Sequence, residues 1–342
     1  MAEVVRSGAH IPRWESGGHR VPGPDEDPFT FAATAVERAA RGATRPGAPI
    51  RIELLGEVGP IGSWGFSALL GADVVLRAHP PSGEEFASTL EALRRADGPA
   101  LLVAVDLGEG SGNAVAGSVA YLLDGPAAGS SQAPRPIPPG DPTETAVAAA
   151  RRWFIQQTPA VRGTAAVVGT TEDGGSPTLT RPLDGTPRRP SSAVSEGAFV
   201  PYPRYLEGLP SRWRFHGERC GACGRIGFPI RGRCNRCGRT DRLEPMPLPL
   251  DGGTVVATTW IGTGGQPTEF DPQVESTGSY GVAIVELAPG VRATLQLTDC
   301  RRHEIKIGSQ VGTQLRRLYS LEGEWRYGRK AVPLRSVSSG VR

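Results

Sequence analysis

Cys220-Gly221-Ala222-Cys223-Gly224 and Cys234-Asn235-Arg236-Cys237-Gly238 decide how this chain is read. Each is a CxxC knuckle, and ten residues lie between the two. Two residues between thiolates let one tight turn aim both sulfurs at a single point. Two such turns therefore supply a closed tetrahedral ligand set. A glycine follows each knuckle, the residue that best tolerates the backbone such turns need. The spacing predicts a structural zinc on Cys220, Cys223, Cys234 and Cys237. The competing reading, two disulfides, needs an oxidising compartment.

Outside the knuckles nothing points to export. The opening, Met1-Ala-Glu-Val-Val-Arg6, has no apolar h-region and no cleavage-like site. The longest apolar run, around Leu101–Val105, is far too short to cross a bilayer. The fifth cysteine, Cys300, stands alone. The expectation is a soluble, cytoplasmic protein with no membrane association, whose cysteine pairs are metal ligands rather than staples.

At 342 residues the chain has room for two or three domains. A formal net charge of +3 does not mark the whole molecule as a polyanion binder. The charge is uneven, however: nine arginines lie between Arg212 and Arg242, against Glu218 and Asp241.

Residues 1–190 read as an α/β domain with Pro/Gly-rich linkers. Phe29–Arg41 has helical spacing after the cap-like Asp25-Glu26-Asp27-Pro28. Gly83–Arg95 is a second helix, with Phe86, Leu90 and Leu93 on one face. Ile50–Leu55, Ala100–Val105 and Ala114–Leu123 read as strands, the last two buried. A linker follows from Gly125 to about Gly140, then a helix over Glu144–Gln156, a strand at Thr164–Val168 and an irregular stretch, Gly174–Gly197. Gly108-Glu-Gly-Ser-Gly112 follows a strand but lacks the spacing of a P-loop or dinucleotide fingerprint.

Residues 200–245 carry the ribbon, and residues 246–336 turn all-β. Gly253–Gly262, Tyr280–Leu287, Val291–Leu297, Ser309–Tyr319, Glu324–Tyr327 and Val332–Leu334 are strand-like, with a hairpin turn at Ala288-Pro289-Gly290. So many short strands suit a small closed barrel, most economically an OB-fold. The fold class expected is multidomain: α/β, zinc ribbon and OB-fold β-barrel.

Two resemblances follow from particular residues. Tyr205-Leu-Glu-Gly-Leu-Pro-Ser-Arg-Trp-Arg-Phe-His-Gly-Glu-Arg-Cys220, with Cys223-Gly-Arg-Ile-Gly-Phe-Pro229 and the second knuckle, resembles a rubredoxin-like zinc ribbon. It is similar to that of the acyl-CoA-associated OB-fold proteins known as domain of unknown function 35. Gly281-Val-Ala-Ile-Val-Glu-Leu-Ala-Pro-Gly-Val-Arg292 and Ile307-Gly-Ser-Gln-Val311 resemble that family's barrel, so the likeness covers roughly residues 200–335. It implies an accessory subunit of a thiolase-superfamily enzyme. Knuckles of this type take zinc or iron, and precedent favours zinc. The second resemblance is carried by Gly8-Ala-His-Ile-Pro-Arg13, Asp25-Glu26-Asp27-Pro28 and Thr30-Phe31-Ala32, similar to the opening of microbial hydroxymethylglutaryl-CoA synthases. Ala100–Asp106 and Ala114–Leu123 resemble later strands of that thiolase fold. The family's catalytic cysteine would fall near Ala78–Glu85, yet no cysteine precedes Cys220. The second half of the fold has no room before the ribbon. The resemblance therefore implies a truncated, thiolase-like domain that does not run the chemistry alone.

Acyl transfer of that kind needs a thiolate, a base and oxyanion donors. Cys300 is the one spare thiol, and a small edge residue of the barrel is the better reading of it. His79 reads as a polar turn residue before Pro80-Pro81. No residue is assigned a catalytic role. The expected function is that of a non-catalytic subunit that bridges a catalytic thiolase-superfamily partner and helps bind an acyl-CoA. Arg225, Arg231, Arg301, Arg302, Arg316 and Arg317 are the candidate contacts to coenzyme A or to the partner, because a guanidinium engages two phosphate oxygens at once. A nucleic-acid-binding ribbon-plus-barrel protein is the alternative. The modest charge and irregular aromatics argue against it.

Overall fold

The structure, a computed structural model, describes residues 3–10, 12–16, 19–40, 49–95, 98–106, 116–124, 145–150, 183–184, 200–321 and 324–334. The chain divides into two compact units: residues 1–22 with 26–186, and residues 23–25 with 187–342.

The first unit is built on a five-stranded mixed sheet. In chain order its elements are β1 (Glu3–His10), β2 (Trp14–Ser16), β3 (His19–Val21), α1 (Pro28–Ala40), β4 (Ile50–Leu55), α2 (Gly62–Leu70), β5 (Val74–His79), α3 (Gly83–Arg95), β6 (Ala100–Asp106), β7 (Gly117–Asp124) and β8 (Leu183–Asp184). The main sheet runs β1-β7-β6-β4-β5, and a small one runs β3-β2-β8. β4 pairs parallel with β5 and β6 through two helical crossovers, while β7 is antiparallel to β6 and β1. The central strands are buried on both faces, which is why they read as continuous apolar runs. β5 is an edge strand, and its residues are half-buried or exposed.

α1 begins where the acidic stretch predicts. The Asp27 carboxylate accepts the Thr30 N–H at 2.8 Å, and Thr30 Oγ1 accepts the Asp27 N–H at 2.8 Å. This reciprocal cap precedes Pro28, which needs no intrahelical donor at the first helical position. Small residues let α1 bury nearly its whole surface, with Phe29, Phe31 and Val36 inaccessible. Helix also runs through 146–150, where the sequence predicts Glu144–Gln156. The expected strand Thr164–Val168 and the Gly108–Gly112 turn lie outside the described residues, as does the stretch Gly174–Gly197 except for Leu183–Asp184, which pairs with β2 as strand β8 rather than being irregular.

The second unit contains α4 (Tyr202–Glu207), α5 (Leu209–Arg214), β9 (His216–Cys220), β10 (Ile226–Gly227), β11 (Leu243–Pro247), β12 (Gly253–Gly262), α6 (Asp271–Thr277), β13 (Ser279–Ala288), β14 (Val291–Gln296), β15 (Gln310–Leu321) and β16 (Glu324–Pro333). β10-β9-β11 form the ribbon's antiparallel sheet, and β14-β13-β12-β15-β16 a five-stranded one. Alternation along β13 and β14 sends Ala283, Val285, Leu287, Val291, Ala293 and Leu295 into its core.

Two expectations change here. Glu324–Tyr327 and Val332–Leu334 are not separate strands but the two ends of β16. A Cβ at Gly328 would meet Leu318 Cδ1 at 2.5 Å, so this glycine admits the side chain at the β15 irregularity rather than breaking the strand. Nor does a continuous ladder close the expected barrel. Between edge strands β14 and β16 stand one parallel bridge, Leu297–Ala331, and a 3.0 Å bond from the Thr298 N–H to the Ala331 carbonyl.

α4 and α5 are pinned to β16. The indole N–H of fully buried Trp213 donates to the Tyr327 carbonyl at 3.0 Å, and the Tyr327 N–H donates to Tyr205 Oη at 3.1 Å. Arg329 Nε donates to the Trp213 carbonyl at 2.6 Å. Phe215, ending α5, takes a left-handed φ of 51°. An aromatic residue tolerates that conformation only when tertiary contacts impose it. Here its ring is buried, with the Phe228 ring edge-on at 5.3 Å.

Candidate metal centre

The two knuckles fold as copies of one turn. The Cys220 N–H donates to the Arg225 carbonyl at 2.9 Å and the Gly224 N–H to the Cys220 carbonyl at 2.8 Å. Fourteen positions on, the Cys234 N–H donates to the Arg239 carbonyl at 2.8 Å and the Gly238 N–H to the Cys234 carbonyl at 3.0 Å. Gly224 and Gly238 have φ of 70° and 76°, the left-handed region that favours glycine.

The result is a four-sulfur cluster. The reactive atoms of Cys220, Cys223, Cys234 and Cys237 all lie within 4.8 Å of one another, a set that can hold a metal ion. Sulfurs approach across the knuckles, Cys220 to Cys237 and Cys223 to Cys234, each at 3.6 Å. A tetrahedron with 2.3 Å zinc–sulfur arms has edges of about 3.8 Å. The cluster is thus close to the size that zinc requires, and all four cysteines are free thiols. Cys300 is outside it, partly buried against the core of the five-stranded sheet.

The thiols do not titrate alike. N–H groups of Cys237 and Arg236 hold Cys234 down at about 6. At Cys223 an N–H from Arg225 works in the same direction, but desolvation and the surrounding thiols outweigh it and push the group up to about 11. A set that includes a ready thiolate suits metal capture, because only the deprotonated sulfur binds.

A residue that spacing does not reveal supports the cluster. Glu218, buried on β9, accepts the N–H groups of Arg231 and Gly232, both at 3.1 Å. It pins the loop between the knuckles from beneath. Gly217 is also forced, since a Cβ there would meet the Gly227 carbonyl oxygen at 2.6 Å.

The candidate arginine contacts are scattered. Arg225, Arg231, Arg301 and Arg302 are exposed. The Arg225 guanidinium reaches the Gly290 carbonyl at the β13–β14 turn, 3.5 Å away. Arg317 is half-buried and lies over the Trp325 ring at 4.4 Å. Arg316 is wholly buried and bonded to Asp299 at 3.0 Å. The expected role of Arg316 at a ligand or partner surface does not fit that burial. His79, expected as a polar turn residue, ends β5 between two carboxylates: Nε2 is 2.7 Å from Glu53 and Nδ1 is 3.1 Å from Glu85. It joins β4 to the start of α3.

No protein-family model matches the chain. A DUF35 domain-containing scaffold protein of Methanothermobacter thermautotrophicus is 34% identical over 116 residues, 34% of this chain and 81% of that protein. One of Methanocaldococcus jannaschii is 32% identical over 128 residues, 37% of this chain and 86% of that protein. Among solved structures, an "Ltp2-ChsH2(DUF35) aldolase" chain shares 22% identity over 38% of this chain and 90% of its own length, at a TM-score of 0.29. PksG, a HMG-CoA synthase from Bacillus subtilis, shares 15% over 36% of this chain and 40% of its own, at 0.31. No helix among the described residues is long and apolar enough to cross a membrane. With identity above 30% across more than four-fifths of both archaeal relatives, and a four-cysteine ribbon beside a five-stranded sheet, the chain belongs to the DUF35 domain-containing scaffold proteins.

Proposed function

We propose that this protein is a non-catalytic subunit that bridges and positions a catalytic partner of the thiolase superfamily. The observation that carries the reading is its membership among proteins named as scaffolds, together with the absence of any cysteine from residues 1–219. The resemblance of the opening residues to hydroxymethylglutaryl-CoA synthases supports the choice of partner. A chain with that opening but without a cysteine before the ribbon leaves the reactive sulfur to another subunit.

In this reading Cys220, Cys223, Cys234 and Cys237 hold a structural zinc, which supplies ordering energy to a ribbon with little core of its own. In the same reading the five-stranded sheet is an open relative of the OB barrel. Its strands run as a meander of three, the fourth pairs with the first, and the fifth pairs with the fourth at the sheet's edge, meeting the end of the third through the single Leu297–Ala331 bridge. Exposed Arg225, Arg231, Arg301 and Arg302 are the candidate contacts for the partner or for the phosphates of an acyl-CoA. Mass spectrometry of the chain recovered from its native host tests the reading, with a thiolase-type polypeptide in fixed ratio as the expected result. Recovery of the chain alone at every salt concentration would overturn it. A steep salt dependence of oligonucleotide binding, without response to acyl-CoA, would favour a nucleic-acid role instead.

A further inference from the structure

Among the described residues of the second unit, two cations are completely buried. Arg316 and Lys330 each have no exposed surface, and Asp25, Asp299 and Thr298 beside them are all more than nine-tenths buried. Asp299 takes an unusual left-handed φ of 51° and accepts from Arg316 Nη2 at 3.0 Å. Gln314 accepts from the same guanidinium nitrogen. Asp299 thus pairs with Arg316, while the carboxylate against Lys330 is a different one.

That anion comes from far along the chain. Asp25 Oδ2 lies 2.9 Å from Lys330 Nζ and accepts the Thr298 hydroxyl at 2.9 Å, across 273 positions. Its Oδ1 faces Arg316 Nε at 3.8 Å and accepts no hydrogen bond among the described residues. The backbone is held too. The Arg317 N–H donates to the Asp25 carbonyl and its guanidinium to the Pro24 carbonyl, both at 3.1 Å. Residues 23–25 accordingly belong to the second unit.

We propose that Lys330, Arg316 and Thr298 form a buried carboxylate-receiving site, filled within the chain by Asp25, which makes residues 23–25 an integral strap of the second unit. Asp25 and Asp299 offset the charges of Arg316 and Lys330; emptying the site leaves these buried cations short of one carboxylate. Burial pushes the Lys330 ammonium below its ordinary 10.5, and the Asp25 carboxylate draws it back. The site selects a small carboxylate because one oxygen meets an ammonium and a hydroxyl while the other turns to a guanidinium.

The test is Asp25→Ala in the full chain. The expected result is a fall in melting temperature on the order of 10 °C and faster amide exchange along β15 and β16. Formate should restore part of both, and chloride at equal ionic strength should not. Lys330→Met added to Asp25→Ala should also recover part of the loss, since it removes the unbalanced cation. Asp25→Asn, which keeps the shape without the charge, serves if the alanine variant does not fold; it should show the same direction of change in melting and exchange, with no rescue by formate because its amide still fills the site. Unchanged melting and exchange in Asp25→Asn, or a defect repaired equally by chloride and formate, would overturn the site.

Discussion

Single side chains decide whether the ribbon forms. Cys223→Ser removes one of four sulfurs at the cluster, and the expected outcome is loss of bound metal and of amide protection over 216–247, read by elemental analysis and hydrogen exchange. Glu218→Ala should leave the ligands in place but remove the buried carboxylate that holds two N–H groups of an exposed loop, at a cost of about 1–3 kcal/mol. Denaturant melts and faster metal release to a chelator would register it; wild-type values for both would show the contact to be idle. His216 gives the ribbon a pH dependence. Burial, and then the Arg214 guanidinium, lower it below 6.5. As pH falls from 6.5 toward that lowered value, the unfolded chain takes up a proton that the folded chain refuses, so stability declines with acidity. Comparing His216→Asn with the parent across that window should show a flatter profile in the variant. The cysteines were legible in sequence because their geometry is local. Glu218 was not, because a lone glutamate acquires meaning only when a loop more than ten residues away folds over it.

Among elements, the helices α4 and α5 show how strongly a short segment relies on its seat. Each has six residues, too few to be stable in isolation. Their order comes from Trp213 and Tyr205 on β16. Trp213→Ala should therefore cost about 3–5 kcal/mol and release both helices, while metal content stays at the parent level. Simultaneous loss of metal would mean that the helices also support the ribbon. Strands and helices with a clear period were readable within a residue or two, as α3 and β12 are, since amphipathic spacing depends only on neighbours. β16 was misread as two strands because Gly328 looks like a breaker until Leu318 is placed above it. α2 and β5 were missed: α2 is short and glycine-interrupted, and β5 is a half-exposed edge strand.

At the level of the molecule, chelation should strip protection from the second unit first, beginning at 216–247, and leave the β4–β6 core of the first unchanged. Hydrogen exchange resolves the two, and simultaneous loss in both would contradict the division into units. The sequence by itself determined the four-cysteine ribbon, the α/β-then-β order and the want of an early cysteine, because each is a matter of spacing or composition. Tertiary structure alone decided which charges are buried. Arg316 and Lys330 look like surface residues in the sequence, since an unpaired charge in the interior is prohibitively costly. Their burial becomes affordable only where Asp25 and Asp299 meet them, and no local pattern announces a partner that arrives from hundreds of residues away.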